Sequence, residues 1–186
     1  LIDQAVEIDV GGSEVWRPTD GAPPSGEAMS LGDGLAYSKN TITAQLIQQV
    51  GPAKVARLAR HMGVRQSKLE AVPSLALGTS PVTLKEMVAA YGTIANGGGY
   101  LEPLLVSRIE DRNGRVIEEF IPQDPDRALE RDVAYTLLDN LRGAINRGTG
   151  RDIRSRYGIR ADVAGKTGTT QDNADGWFIL MHRQLV

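Results

Sequence analysis

The sequence predicts an α+β fold in which helices pack on a mainly antiparallel sheet. Helical periodicities fill the middle of the 186-residue chain, whereas strand-like segments lie near its two ends. A hydrophobic content of 41% is sufficient for the core of one domain. Because strands near both ends must share that core, we expect a sheet that pairs segments distant in sequence, within one domain over residues 1–186.

The first half of the chain predicts a strand, a loop and two helices. Residues 5–10 alternate apolar and polar side chains, which is typical of a half-buried strand. A segment rich in Pro, Gly and Ser, from about 16 to 34, predicts a loop. A helix should follow over 41–50 and end at Gly51, and Pro52 suits the first turn of the next helix. The expected apolar face of that second helix consists of Val55, Leu58, Ala59 and Met62.

A capping box begins the third predicted helix. Thr83 supplies the capping hydroxyl and Glu86 supplies the carboxylate three residues later. The helix should end in the glycine-rich segment 96–99. Residues 104–121 then predict a β-hairpin, because they enclose an Asn-Gly turn at 113–114. The side chains expected on the buried face of the helix are Leu84, Met87, Val88, Tyr91 and Ala95.

The last third of the chain predicts one more helix and two strands. Residues 131–146 are amphipathic, and the stretch 147–160, rich in Gly and Arg, predicts a mobile loop. Strands are expected around 166–168 and 177–181. The expected buried face of the helix consists of Ala134, Leu137, Leu138, Leu141 and Ile145.

The composition argues against several classes of function. Lys and Arg total 21 against 23 Asp and Glu, and the formal net charge of −2 argues against a protein that binds nucleic acid electrostatically. The absence of cysteine excludes disulfides, thiolate metal ligands and a cysteine nucleophile. The two histidines, His61 and His182, are far apart in sequence, and His61 lies among arginines on an expected solvated helix face. We therefore expect neither a Ser-His-Asp triad nor a metal or other cofactor.

Two short segments could carry chemistry. Ser38 and Asn40 form a Ser-x-Asn motif just before a predicted helix, and residues 166–170 form Lys-Thr-Gly-Thr-Thr on a predicted strand. Each is weak alone, because Ser and Asn are common at helix N-caps. A phosphate-binding loop would need glycine five residues before Gly165, where Arg160 stands, so the spacing excludes that interpretation of the second motif.

In this order the two motifs match part of a known set. Ser-x-x-Lys, Ser-x-Asn and Lys-Thr-Gly mark the penicillin-recognising serine acyltransferases. Over essentially its whole length, the chain resembles the transpeptidase domain of class A penicillin-binding proteins, the bifunctional enzymes of peptidoglycan synthesis. Besides the two motifs, the segments that carry the resemblance are Trp16-Arg17-Pro18, Pro73–Thr79, Ala95–Gly98, Gln171-Asp172-Asn173 and Trp177-Phe178.

The resemblance implies catalytic roles for three residues. The Ser38 hydroxyl would relay a proton toward the nitrogen of the leaving D-Ala. The Asn40 amide would orient both the substrate carbonyl and a catalytic lysine. Lys166 would supply positive potential near Ser38 and near the substrate carboxylate.

The resemblance also implies a substrate-binding strand and a set of partners. Thr167 and Thr169 would bind the terminal carboxylate, the Thr169 N–H would be an oxyanion donor, and Gly168 would let the substrate lie close to the strand edge. The implied partners are peptidoglycan stem peptides ending in D-Ala-D-Ala and β-lactam antibiotics, with no nucleic acid. The implied location is the periplasmic or extracytoplasmic face of the cytoplasmic membrane, in a membrane-anchored parent with a glycosyltransferase domain.

One part of the motif set is absent from the chain. No serine has lysine three residues later. In the family that Ser-x-x-Lys segment lies upstream of Trp-x-Pro, so we expect the nucleophile to precede Leu1 and the domain to be truncated at both ends. The chain alone should form no acyl-enzyme.

Other functions of the same fold remain open at this point. Class A β-lactamases deacylate through a glutamate with Asn four residues later, and no glutamate of the chain has that neighbour. A D,D-carboxypeptidase shares the motifs and would release D-Ala without an acceptor amine. A non-catalytic sensor that binds β-lactams or peptidoglycan would lack Ser-x-x-Lys. The transpeptidase is the favoured function.

Overall fold

The computed structural model describes residues 1–170 and 174–186 and has the predicted α+β composition. The helices are α1 (Leu31–Ala36), α2 (Asn40–Val50), α3 (Pro52–His61), α4 (Leu84–Ala95), α5 (Arg131–Asn146) and α6 (Asp152–Ser155), with a 3₁₀ turn at Pro73–Leu77. The strands are β1 (Ile8–Gly11), β2 (Glu14–Trp16), β3 (Gly99–Tyr100), β4 (Arg108–Glu110), β5 (Val116–Glu119), β6 (Asp126–Arg127), β7 (Ala164–Thr169) and β8 (Gly176–Met181). Within the described ranges, every helix is too short or too polar to cross a membrane.

The N-terminal segment folds as an antiparallel hairpin packed on α2. The strand predicted over 5–10 begins at Ile8, which pairs with Trp16 of β2. Val6 and Ile8 are buried against Ala44 of α2, so their apolar side chains fix which face of the hairpin turns inward.

Helix α1 corrects the sequence prediction. A loop was expected through residue 34, but the chain becomes helical at Leu31. The Ser30 hydroxyl accepts a hydrogen bond from the N–H of Asp33 and so caps the helix. Two glycines within α1 lower its intrinsic helix propensity, and the helix is stabilised instead by packing against α5.

The helix positions are as predicted, but two apolar faces are not. In α3 the buried residue is Ala56, whereas Leu58 is exposed. The capping box of α4 forms as predicted, yet Leu84 and Val88 face outward. The helix packs through small side chains and through Glu86, whose carboxylate the neighbouring loop surrounds, so the buried face is rotated from the one that hydropathy indicates. The buried residues of α4 are Glu86, Ala89, Ala90, Thr93 and Ile94.

The sheet topology also differs from the expectation. The strands are antiparallel, but the described residues form four two-stranded sheets, ordered β1-β2, β3-β6, β4-β5 and β7-β8. The predicted hairpin of 104–121 is confirmed as β4-β5. The expected pairing between the two ends of the chain is wrong, because β1-β2 packs on α2 whereas β7-β8 packs on α4 and α5.

Helix α5 organises the core beneath the β7-β8 hairpin. Its bounds match the prediction, and Ala134, Leu141 and Ile145 are buried as expected. The following stretch is not one irregular loop, because it contains α6, where Ile153 is buried beside Ile145. Since α5 also packs against α1, it places the end of α1 close to β7.

Candidate active site

Ser38 lies in the tight connection between α1 and α2, in an unusual backbone conformation. Its φ is 56°, in the left-handed region that side chains other than glycine rarely adopt. Two backbone bonds close the turn: the Ser38 N–H donates to Leu35 and the Lys39 N–H donates to Gly34. Such strain persists only where surrounding contacts hold it, and it is common at active sites.

The Ser38 hydroxyl is not the cap of the following helix. The N-cap of α2 is Lys39, without a capping side chain, so the ordinary explanation of Ser-x-Asn as a helix cap does not apply to Ser38. The hydroxyl instead accepts a hydrogen bond from the ammonium group of Lys166, with 2.8 Å between Nζ and Oγ. The structure therefore brings together two predicted site residues that are separated by 128 positions.

Lys166 projects from β7 and is partly buried. Its Nζ also donates to the backbone carbonyl of Thr167 at 2.8 Å. Burial disfavours the charged form and lowers the pKa of Lys166 from its ordinary value. The site therefore contains a cation that is directed at the Ser38 hydroxyl and loses its proton more readily than a solvated lysine.

Asn40 is the first residue of α2 and is fixed by the loop that precedes α1. Its backbone N–H donates to the Asp20 carboxylate at 2.7 Å, and its side-chain Nδ2 donates to the Thr19 carbonyl at 2.8 Å. Asp20 thus accepts from an N–H at the start of the helix in the manner of a cap. The structure places Asn40 two residues from Ser38, and the role expected for its amide remains a prediction.

A buried carboxylate, Asp3, anchors the residue next to Ser38. It is completely inaccessible and accepts hydrogen bonds from the Lys39 ammonium at 2.8 Å and the Thr41 hydroxyl at 2.7 Å. The N–H and hydroxyl of Ser25 donate to the same group. The Lys39 hydrogen bond, with those from Thr41 and Ser25, holds the pKa of Asp3 well below its usual range.

The substrate-binding residues expected on β7 lie at an accessible strand. Thr167, Gly168 and Thr169 pair with Phe178, Trp177 and Gly176 of β8. In the described part of the chain, β8 is the only strand that pairs with β7, and Gly168 and Thr169 are exposed. The last part of this motif, residues 171–173, lies outside the described residues.

Two glycines of β7 are under different constraints. A Cβ at Gly165 would lie 2.4 Å from the carbonyl oxygen of Ile179, so the fold itself requires that glycine. A Cβ at Gly168 would meet only the Cβ of Trp177, at an ordinary 3.5 Å. Packing within the chain therefore does not explain Gly168, whereas close approach of an extended ligand would.

These features allow serine-type acyl transfer chemistry but offer no evident metal centre. Within residues 1–170 and 174–186, no three His, Asp or Glu side chains cluster as a metal ion would need. A hydroxyl bonded to a partly buried ammonium group provides a path for protons, and threonine hydroxyls beside it can bind a carboxylate. The family model "Penicillin binding protein transpeptidase domain" matches residues 5–179.

The chain belongs to this family.

Named relatives and solved structures agree with this assignment. Penicillin-binding protein 1A of Neisseria meningitidis serogroup A is 32% identical over 92% of the chain, which spans 22% of that relative. The crystal structure of penicillin-binding protein 1A from Haemophilus influenzae superposes with a TM-score of 0.88 at 26% identity, over 97% of the chain and 32% of that protein. The D,D-transpeptidase domain of a peptidoglycan glycosyltransferase from Eggerthella lenta shares the fold, with a TM-score of 0.76 at 24% identity over 97% of the chain and 52% of its own. The resemblance to class A penicillin-binding proteins is confirmed.

Sequence reasoning missed two polar residues that support this site, Thr149 and Asp3. Thr149, between α5 and α6, lies with its Oγ1 2.6 Å from the Oγ1 of Thr167, and its N–H donates to the carbonyl of Ala36 at 3.1 Å. The glycines on both sides of Thr149 were a usable signal, because they indicate close backbone approach. Asp3 was missed because a single acidic residue near the start of the chain carries no pattern.

Proposed function

We propose that the protein containing this chain is a serine-type peptidoglycan D,D-transpeptidase, which cross-links stem peptides through an acyl-serine intermediate. The observation that carries the proposal is the 2.8 Å hydrogen bond from the Lys166 ammonium to the Ser38 hydroxyl. It joins the Ser-x-Asn and Lys-Thr-Gly motifs in one site, as the chemistry of this family requires. The nucleophilic serine and its lysine lie outside residues 1–186 in this proposal.

Three residues carry the proton and charge chemistry of the proposed reaction. Ser38 accepts a hydrogen bond from Lys166, so its own proton is free to pass to the nitrogen of the leaving D-Ala. Lys166 supplies positive charge where the carboxylate of the substrate arrives. Asn40, fixed at the start of α2, orients the substrate carbonyl and the lysine of the nucleophile segment.

The exposed part of β7 binds the end of the stem peptide in this proposal. The Thr167 and Thr169 hydroxyls donate to the terminal carboxylate, and the Thr169 N–H serves as an oxyanion donor. The peptide lies along β7 as an added strand, and the absence of a side chain at Gly168 allows its backbone to come close. β-Lactams, which carry a carboxylate beside the reactive amide, would bind in the same place.

The remaining partners and the location follow from the proposed substrate. Peptidoglycan strands are cross-linked outside the cytoplasmic membrane, so in this proposal the protein acts on the periplasmic or extracytoplasmic face. We also propose that the parent is membrane-anchored and carries a glycosyltransferase domain, because its relatives include penicillin-binding proteins 1A and 1B.

Labelling with a fluorescent penicillin tests the proposal in the full-length protein. The wild type should be labelled at a serine outside residues 1–186, and Lys166→Ala should slow labelling by roughly 10- to 100-fold, the loss expected for a charge-assisted hydrogen bond of about 1.5–3 kcal/mol. Lys68→Ala is the matched control, since Lys68 is a solvent-exposed lysine with 86% of its side chain accessible. Labelling of the isolated chain, or a Lys166→Ala variant as reactive as the wild type, would contradict the assignment.

Product analysis separates the transpeptidase from the two other activities of this fold. Unlabelled full-length protein, shown to be reactive in a parallel penicillin-labelling sample, is incubated with a stem peptide ending in D-Ala-D-Ala and an acceptor amine. A cross-linked dimer identifies the proposed transpeptidase. Free D-Ala without a dimer identifies a carboxypeptidase, and penicillin labelling without turnover of the stem peptide identifies a sensor.

A further inference from the structure

The segment between α5 and α6 connects both halves of the site. We infer that Thr149 is a positioning residue that directs the proton of the Thr167 hydroxyl toward the carboxylate of the substrate or β-lactam. The inference rests on the proposed function and deepens it. Its basis is the 2.6 Å separation between the two threonine Oγ1 atoms, which only a hydrogen bond explains.

The direction of that hydrogen bond follows from counting protons. A threonine hydroxyl has one proton to donate and can accept in addition. When Thr167 donates to a carboxylate, which only accepts, its proton is committed to the ligand. The Thr149 hydroxyl must then donate to the Thr167 oxygen. This leaves the Thr167 hydroxyl a single orientation, in which its proton points at the ligand.

Thr149 is held rigidly enough for this role. Its N–H donates to the Ala36 carbonyl at 3.1 Å, and Ala36 lies two residues before Ser38. At Gly148 a Cβ would lie 2.0 Å from the same carbonyl oxygen, so only glycine permits this approach. On the preceding side, the Arg147 guanidinium donates to the Asp33 carboxylate at 2.9 Å.

The segment 147–150 therefore connects the Ser-x-Asn motif to the Lys-Thr-Gly motif, although it belongs to neither of them. Residues 147–150 contact α1 just before the Ser38 turn, and they contact β7 through Thr167. The Thr149 side chain therefore fixes the Thr167 hydroxyl relative to Ser38. In this inference Thr149 acts on the ligand through Thr167, which its hydroxyl contacts.

A pair of conservative substitutions in the full-length protein tests the inference. Thr149→Val keeps the shape and removes the hydroxyl, and Thr149→Ser keeps the hydroxyl. Thr149→Val should lower the second-order rate constant of acylation by benzylpenicillin roughly three- to tenfold, as expected for loss of one neutral hydrogen bond. Thr149→Ser should stay within about twofold of the wild type. The control Thr136→Val should do so too, because it removes an exposed hydroxyl that donates to the Asp132 carbonyl within α5.

The methyl ester of benzylpenicillin separates positioning from a general structural effect. The ester lacks the carboxylate, so Thr149→Val should slow its acylation much less than that of the free acid. In a Thr167→Val background, the Thr149→Val substitution should have no further effect on the free acid. If the valine variant does not fold, as judged by thermal melting, Thr149→Ala gives the same comparison without the added methyl group.

Failure of the inference is distinguishable from failure of the proposed function. A wild-type protein that no penicillin acylates removes the proposed function and the inference with it. A wild type that is acylated, with Thr149→Val equally fast, overturns the inference alone. Equal slowing of the acid and the ester, or additive effects of the Thr149 and Thr167 substitutions, also overturns it.

Discussion

The buried pair of Asp3 and Lys39 allows a prediction about which of its two charges is harder to leave unpaired. The carboxylate of Asp3 is fully buried, whereas the side chain of Lys39 is 20% accessible. Lys39 also has a second carboxylate nearby, with Asp20 at 3.8 Å. Lys39→Met should therefore destabilise the protein more than Asp3→Asn, although both remove the same 2.8 Å ion pair.

The magnitudes follow from the geometry of the pair. Two unit charges at the observed 2.8 Å attract by about 6 kcal/mol at an effective dielectric constant of about 20, and desolvation offsets much of this. Lys39→Met leaves a buried charge, and the remaining hydrogen bonds from Ser25 and Thr41 reduce the loss to about 3 kcal/mol. Asp3→Asn leaves an ammonium group that water and Asp20 still stabilise, so we expect a loss of about 1–2 kcal/mol.

The assay is urea unfolding at pH 7, followed by tryptophan fluorescence, because Trp16 packs against the nearby cluster of Val6 and Ile8. Lys68→Met is the matched control: its pair with Glu70 is solvent-exposed and should contribute less than about 0.5 kcal/mol. The double variant of Asp3 and Lys39 should lose less than the sum of the single losses, because the two residues interact. Equal losses for the two single variants, or additive losses in the double variant, would refute the argument.

The pH dependence gives an independent check on the same pair. The pKa of Asp3 is lowered in the folded state, so its contribution is present above the unfolded value of roughly 3.9 and is lost as the pH falls through the folded pKa. The pKa of Lys39 is raised by its hydrogen bond to Asp3, so its contribution is lost only as the pH rises through that raised value. Asp3→Asn should flatten the acid limb of the stability profile.

Three further predictions concern the core, a backbone contact and the site. Burial alone would raise the pKa of Glu86, but hydrogen bonds from Ser67, Gln66 and Thr83 lower it to about 2, so the free energy of unfolding should fall as the pH drops from about 4.5 to 2. Glu86→Gln should flatten that loss in acid unfolding, whereas the control Glu27→Gln, at an exposed position, should not. Gly148→Ala places a Cβ against the Ala36 carbonyl and should lower the melting temperature by at least about 5 °C, whereas Gly21→Ala, in open space, should change it little. Burial lowers the pKa of Lys166, so the rate of acylation by penicillin should begin to fall, as the pH rises, at a pH below the pKa of about 10.4 of free lysine. Lys166→Arg stays charged and should remove this fall in rate at high pH, and an unchanged fall in that variant would assign it to another group.

Local signals in the sequence predicted most element boundaries. The Thr83 and Glu86 capping box, Pro52 at the start of α3 and the Asn-Gly turn of β4-β5 act within a few residues, and the structure confirms each one. The exact bounds of α5 were predicted because its apolar residues repeat with the helical period over four turns. Such features depend little on the rest of the fold.

Properties that depend on distant partners were predicted less well. The buried face of α4 was wrong because hydropathy favours Leu84 and Val88, whereas close packing there selects Ala89 and Ala90. Helix α1 was missed because its stability comes from α5, which lies about 100 residues later in the chain. At the site, the meeting of Ser38 and Lys166 was implied by the resemblance to the penicillin-binding family, whereas the contact of Thr149 with Thr167 lies outside the family's motifs.

The sequence distance across the site has a consequence for folding. The Ser38–Lys166 bond spans 128 residues and the Asp33–Arg147 pair spans 114. Contacts of such high contact order form slowly, because the chain entropy of a long loop must be lost before the contact contributes. During synthesis, the left-handed turn at Ser38 emerges long before β7, so the Ser38 hydroxyl has no Lys166 partner until β7 has also left the ribosome. We therefore expect the site to form late in folding, so that refolding of the full-length protein restores helix content before it restores acylation by penicillin.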